Sequence, residues 1–181
     1  GFSPLQGLVM STPCGDLDPA VTLRLIERSG GDCETVEKIL NRKSGVLGLS
    51  GISADIRDVL AGLEKDGPAG PEIILAAQVY LWRLRKYLGA YLLAAGDCQA
   101  VIFTDTIGET VPLVRWSACA DMRCFGLQID PRKNIKPGLL PADISEPESP
   151  VRILVIATNE ELAIARCAWS TLCLQTTRKE S

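Results

Sequence analysis

The chain has 181 residues, 46% of them hydrophobic and 23% charged, with a formal net charge of −3. That is enough apolar material for one domain with a sizeable core, at an ordinary globular composition. So small a net charge makes no electrostatic case for nucleic acid or an anionic membrane surface, and any anionic ligand must be held by local features. The longest apolar run, within 73–82, is broken by Gln78 and followed by Arg83, Arg85 and Lys86. It falls well short of the ~20 residues that span a bilayer, and no N-terminal signal pattern is present. The 7 cysteines form no CxxC pair and there is no histidine, which argues against zinc. They read as reduced thiols, several packed as small hydrophobes, in a cytoplasmic protein. Gly1, in place of a methionine start, suggests a chain cut from something longer, or processed.

Residues 1–12 alternate loosely around Leu8, Val9 and Met10 and predict a strand or hairpin. Asp16 or Asp18 caps a helix with Pro19 in its first turn, running to Gly30-Gly31. Asp32 caps a second helix with Val36, Ile39 and Leu40 on one face. Residues 45–53 (GVLGLSGIS) read as a Gly/Ser-rich loop, and 54–65 as an amphipathic helix. The strongest helix spans 71–95, where Ile74, Ala77, Leu81, Leu84, Leu88 and Tyr91 recur at three- and four-residue steps. Trp82, Tyr87 and Leu92 widen its apolar surface, so it belongs in the core or against a partner. Residues 100–104 (AVIFT) predict a buried strand, 112–123 a helix, and 125–129 a strand. Residues 131–150 form a long Pro-, Asp- and Glu-rich loop. Residues 151–157 (VRILVIA) are a strand, which should lie beside 101–104 in one sheet, and 159–176 a closing helix. The strand–helix alternation from residue 97 onward argues for an α/β layer fold.

Four segments could carry chemistry. In 101–110 (VIFTDTIGET) a buried strand ends in a glycine-containing turn before a helix, which can offer backbone N–H groups to a nucleotide. Alone, Gly108 in such a turn is more often a packing device. Asn159-Glu160-Glu161 opens the last helix after a strand. Asn159 suits an N-cap and the acids suit the helix dipole, while a carboxylate there can also meet Mg²⁺. Asp55-Ile56-Arg57 begins a helix, as a cap with a solvated side chain or as an arginine that meets a nucleotide. Asp16 and Asp18 are caps or metal-shell carboxylates.

Taken together these segments form a pattern. STPCGDLDPA (11–20), SGVLGLSGISADIRDV (44–59), WRLRKYLGAY (82–91), VIFTDTIGETVPLVR (101–115) and VIATNEELAIAR (155–166) resemble, in order and spacing, the signature blocks of acetate kinases. Those read approximately TRxGDxDP, SGxxGxSGxSxDxR, YRxKKYIGAY, VFTxGIGENSPxVR and VIPTNEExxIA. Propionate and butyrate kinases share much of the pattern. The resemblance implies the C-terminal half of a two-domain protein of the ribonuclease-H-like, sugar-kinase and actin superfamily, with a mixed sheet flanked by helices. It implies ATP or ADP in an interdomain cleft, a short-chain carboxylate as acceptor, Mg²⁺, and a homodimer. Asp55, Ile56 and Arg57 would contact nucleotide; Thr106, Ile107, Gly108, Glu109 and Thr110 would form the turn that embraces the adenosine; Glu160 would be the magnesium carboxylate. The chemistry would be in-line phosphoryl transfer, with the protein supplying position and charge.

Three departures stand out. Pro13 occupies the position of the TRxGD arginine, which helps stabilise the transferring phosphoryl group, and it has neither charge nor donors. Thr106 replaces the first glycine of GIGEN, and Asp105 precedes it with bulk and negative charge. The N-terminal half, with its phosphate-binding elements and basic residues, is absent. The isolated chain is therefore expected to be inactive. Two readings stand: an acetate kinase represented by its C-terminal half, or a non-catalytic module that keeps the fold and dimer face.

Overall fold

The computed structural model describes residues 2–63 and 69–179, with side chains to Leu172. Its first part is helical. In α1 (Pro19–Arg28) the Asp18 side chain accepts from the Ala20 N–H, and in α2 (Cys33–Arg42) Asp32 accepts from Thr35. Each carboxylate satisfies an N–H that the helix leaves unpaired. Asp16 caps neither. It accepts from the Gly7 amide at 2.8 Å and from the Tyr87 hydroxyl, tying the N-terminal segment to the long helix instead.

The strand or hairpin expected over 1–12 is not formed; turns and bends run through it. The backbone there has another use. The carbonyls of Met10, Ser11 and Thr12 accept from the amides of Val46, Leu47 and Ser44 at 2.9, 3.0 and 3.1 Å, capping a helix where the composition predicts a loop. That helix, α3 (Gly45–Ser50), starts at Gly45 with φ 61° and ends at Gly51 with φ 68°. Glycines usually signal breakers. Here they permit a close approach at one end and a left-handed cap at the other. Helix α4 (Ile56–Leu63) follows, and the rest of the 54–65 expectation, Glu64 and Lys65, lies outside the described residues.

Helix α5 (Pro71–Ala95) is the spine. Its first half joins Val9, Val46, Ile56, Val59, Leu60 and Val114 in one apolar cluster, through Ala76 and Ala77. Its second half, through Leu92, joins Cys119, Met122, Leu127, Ile144, Ile153 and Val155 in another, and Leu84 packs against both. The expected burial holds only in part: Ala76, Ala77 and Leu92 are buried, whereas Ile74 and Tyr91 of the predicted face, and Leu75, Trp82 and Leu93, are exposed.

Strand β1 (Ala100–Phe103), helices α6 (Asp105–Thr110), α7 (Pro112–Cys119) and α8 (Pro131–Ile135), strands β2 (Ala142–Asp143) and β3 (Arg152–Val155), and helix α9 (Glu160–Lys179) complete the fold. The sheet order is β1-β3-β2. The two apolar runs are neighbours, parallel, with Ala100 opposite Arg152 and Phe103 opposite Val155. Strand β2 pairs antiparallel with β3. The sheet is therefore mixed.

The strand expected over 125–129 is replaced by a 3-10 turn, Arg123–Phe125, in which the Met122 carbonyl accepts from Phe125 and Leu127. Backbone already bonded in a turn cannot extend a ladder, so only single bridges form, Leu127 with Val151 and Ile129 with Ser145. The long loop over 131–150 contains α8 and β2. Helix α8 has a readable start: Pro131 follows Asp130, whose carboxylate accepts from the Arg132 and Lys133 amides. The helix predicted over 112–123 stops at Cys119, before Asp121, which takes φ 56°.

Candidate active site

Two segments singled out in the sequence, fifty residues apart, meet in one cleft. Asp55, Ile56 and Arg57 at the start of α4 and Thr106 and Ile107 of α6 line a cavity of about 400 Å³, with Ser11, Val46, Ala54 and Tyr80 completing its wall. Asp55 begins α4 by accepting from the Arg57 amide at 2.8 Å. Arg57 then folds back on the same carboxylate, Nε donating at 3.0 Å to both oxygens and one Nη at 2.5 Å. The Arg57 side chain and then its amide hold the Asp55 carboxyl below the usual range. The guanidinium at the rim is thus already paired with an anion.

The turn expected over 106–110 is a helical turn and a half. Thr104 precedes it in extended conformation and Asp105 takes φ 65°. The left-handed residue is therefore Asp105 and not Thr106. An aspartate tolerates that region when its side chain bonds locally, and here Oδ1 accepts from the Thr106 amide at 2.7 Å. Gly108 is buried, and a Cβ there would sit 3.3–3.5 Å from the Phe103 backbone and side chain; its local role is close packing of α6 on β1. Gly108 lines a second, more apolar cavity of about 590 Å³ beside β1 and α5, which Tyr80 and Ile107 also border. Burial, with the charges of Asp105 and Asp55 adding to it, raises the Tyr80 phenol above its ordinary value.

Glu109 and Thr110 face other tasks. The Glu109 carboxylate accepts from the Thr158 amide at 2.8 Å and its hydroxyl at 3.2 Å, joining α6 to the connection that leads into α9. The Thr110 hydroxyl donates to the Thr106 carbonyl. Glu160 is exposed in the first turn of α9, where Asn159 accepts from the Leu162 amide as the expected cap. Among the described residues no three His, Cys, Asp or Glu side chains come together, so Glu160 could offer a metal ion a single carboxylate and no ready-made cluster. Pro13 is half-buried on the strip that caps α3, its carbonyl accepting from the Met10 amide at 3.2 Å.

Two contributors are not evident from the sequence motifs. Tyr80 reads as one more apolar position on α5. Arg115 closes the fourth signature block unremarked, although a lone arginine amid Leu113, Val114 and Trp116 is a signal. It is 1% exposed. Its Nε donates to Asn134 Oδ1 at 2.9 Å, Nη1 to the Gly108 and Glu109 carbonyls at 2.7 and 2.9 Å, and Nη2 to the Asn134 carbonyl at 2.6 Å. Burial pulls the guanidinium below its ordinary value.

A small mixed sheet with helices about it, and a cleft at the ends of a strand and two helices, define an α/β domain of ribonuclease-H-like, actin-like architecture. The acetokinase family model matches residues 1–166, and the chain belongs to that family. An acetate kinase of Dictyoglomus thermophilum is 43% identical over 166 residues, 92% of this chain and 41% of that protein. A crystal structure of Porphyromonas gingivalis acetate kinase superposes with a TM-score of 0.86 at 35% identity, covering 95% of this chain and 42% of that one. A propionate kinase from Francisella tularensis gives 0.80 at 32%, covering 91% and 41%. The chain thus spans about two-fifths of the length of the relatives it matches.

Proposed function

We propose that this chain is the C-terminal half of an acetate-kinase-type phosphotransferase, which moves a phosphoryl group reversibly between ATP and acetate to give ADP and acetyl phosphate. The observation that carries the proposal is the convergence of Asp55–Arg57 and Thr106–Ile107 on one cleft, in a chain of the acetokinase family. In this reading the cleft takes the nucleotide: Ile56, Ile107 and Tyr80 supply apolar wall, and Arg57 a guanidinium. Gly108 sets the height of α6 on β1, while Glu109 and Thr110 hold its shape. Glu160 adds one carboxylate to a magnesium ion held chiefly by nucleotide phosphates and water, the usual manner for that ion.

The chain alone is inactive in this reading, because half of a two-sided cleft leaves ligand and reacting groups in water. It requires the N-terminal half and works as a cytoplasmic homodimer, for which the exposed Trp82, Tyr91 and Leu93 of α5 offer apolar surface. A second reading, a non-catalytic module, is favoured by Pro13, since the transferring phosphoryl oxygens lose a cationic fork there.

One experiment separates them. The chain is assembled with an acetate kinase N-terminal half, and acetyl phosphate is trapped as the hydroxamate. Turnover by the assembly, raised by Pro13→Arg, supports the enzyme; a positioned arginine is worth roughly 10³–10⁵ in related phosphoryl transfers. An assembly that forms but turns over neither with Pro13 nor with arginine overturns it.

A further inference from the structure

We infer that Arg115 is a positioning residue: its guanidinium fixes α6, and through α6 the cleft wall made by Thr106 and Ile107. The inference rests on reading that cleft as the nucleotide site.

Helix α6 has six residues, too few for helix formation to sustain itself. The carbonyls of Gly108 and Glu109 fall in its last turn, where a helix leaves acceptors unpaired and carries partial negative charge. Arg115 Nη1 donates to both. The other side of the guanidinium grips α8, through Asn134 Oδ1 and the Asn134 carbonyl. Asn134 Nδ2 in turn donates to the Pro112 carbonyl at 3.0 Å, at the start of α7. One planar group thereby locks α6, α7 and α8 in register.

All four bonds end on neutral oxygens. A desolvated cation without a carboxylate is an expensive way to fill a core, and an apolar side chain of similar volume would pack α7 more cheaply. What the guanidinium does that an apolar group cannot is reach the end of α6 and hold it. Glu109 braces the same helix from its other side through Thr158. With both in place, Thr106 and Ile107 stand at a fixed distance from Arg57 across the cleft.

A lysine has no planar fork and cannot span α6 and α8 at once. Amide hydrogen exchange of Arg115→Lys should therefore rise at least about tenfold over 107–111 while the central amides of α5 keep the parent's protection. In assembly with an acetate kinase N-terminal half, Mg-ADP should bind about tenfold more weakly, as a displaced wall loses orienting contacts. Asn134→Ser keeps the Arg115 bonds to Gly108 and Glu109, so it should lower the melting temperature yet leave exchange over 107–111 within about threefold of the parent. Arg115→Gln is the second variant and should behave as the lysine does.

Unchanged exchange in α6, or a rise shared equally by α5 and β3, overturns the inference. So does global unfolding of both Arg115 variants with Asn134→Ser equally damaged, since Arg115 would then be core support and no more. Failure of the parent to bind Mg-ADP even when assembled with an acetate kinase N-terminal half would instead count against the nucleotide reading, and the exchange pattern would still decide whether Arg115 holds α6.

Discussion

Gly45→Ala should be among the most damaging single-methyl additions in the chain, for two separable reasons. Gly45 begins α3 at φ 61°, a left-handed conformation that costs a residue with a Cβ about 1–2 kcal/mol. A Cβ there would also lie 2.4 Å from the Met10 carbonyl oxygen and 2.8 Å from that of Pro13. Neither oxygen can swing aside as a side chain would. The Met10 oxygen is accepting the Val46 amide at 2.9 Å and the Pro13 oxygen the Met10 amide at 3.2 Å. Relief of the overlap must push the 10–13 strip away from α3, and overpacking of this kind adds roughly 1–3 kcal/mol. Gly51 is the control. It takes φ 68°, and a methyl group added there would meet nothing within 4 Å, so Gly51→Ala should show the conformational penalty alone. Urea unfolding followed by far-ultraviolet circular dichroism should thus place Gly45→Ala about 1–3 kcal/mol below Gly51→Ala, with unchanged slopes. Equal losses in the two variants would refute the overlap argument, leaving backbone conformation as the whole effect.

Asp16 gives a pH test: the Tyr87 hydroxyl, and next the Gly7 amide, hold its carboxyl below the usual range. A folded value below the unfolded one means stabilisation that is full above about pH 4 and lost as pH falls through the folded value. Asp16→Asn should therefore melt below the parent at pH 7, with the gap closing under acid; a gap independent of pH would remove the carboxylate from the account. Cys119 is 1% exposed, and burial pushes its thiol up to about 12. At pH 8 a disulfide reagent should label the exposed Cys33, Cys124 and Cys167 and leave Cys119 intact until the protein is unfolded. Equal labelling of Cys119 in the folded protein would contradict its placement.

What is legible in the sequence has a local cause. Asp18-Pro19 and Asp32 write their caps in adjacent residues. The apolar runs at 100–104 and 151–157 announce strands, and their continuous rather than alternating character points to the parallel pairing that β1 and β3 adopt. The expected burial holds for Ile153 and Val155 of β3 but not for β1, where Ile102 is exposed. The failures have distant causes. Helix α3 exists because the carbonyls of Met10, Ser11 and Thr12 reach its amides across thirty residues of chain, and composition alone makes GVLGLSGIS a loop. Strand β2 is two residues long and owes its conformation to β3. Of the residues that line the cleft, the motifs name Asp55, Ile56, Arg57, Thr106 and Ile107. They miss Tyr80, which joins the cleft only because α5 passes beneath it, and Arg115, whose importance lies in partners on α6 and α8.

If the cleft is one side of a nucleotide site, as proposed, its charges explain why a second side is needed. A nucleotide brings several negative oxygens, yet this wall offers one guanidinium, and that one already sits on Asp55 in bidentate contact. To serve a phosphate, Arg57 must release one anion for another, so the net electrostatic gain is small however good the final geometry. Asp105 acts on the same region, since its charge is felt by the Tyr80 phenol. Pro13, on the strip beside α3, contributes a backbone carbonyl and no cation. Arg115 is the other guanidinium close to α6, but it is buried with its donors spent on carbonyls and the Asn134 amide oxygen. In our proposal this chain supplies shape: an apolar wall and a helix braced by Arg115 and Glu109. In the same proposal, positive charge enough to hold polyphosphate arrives from outside it, with magnesium and an N-terminal half.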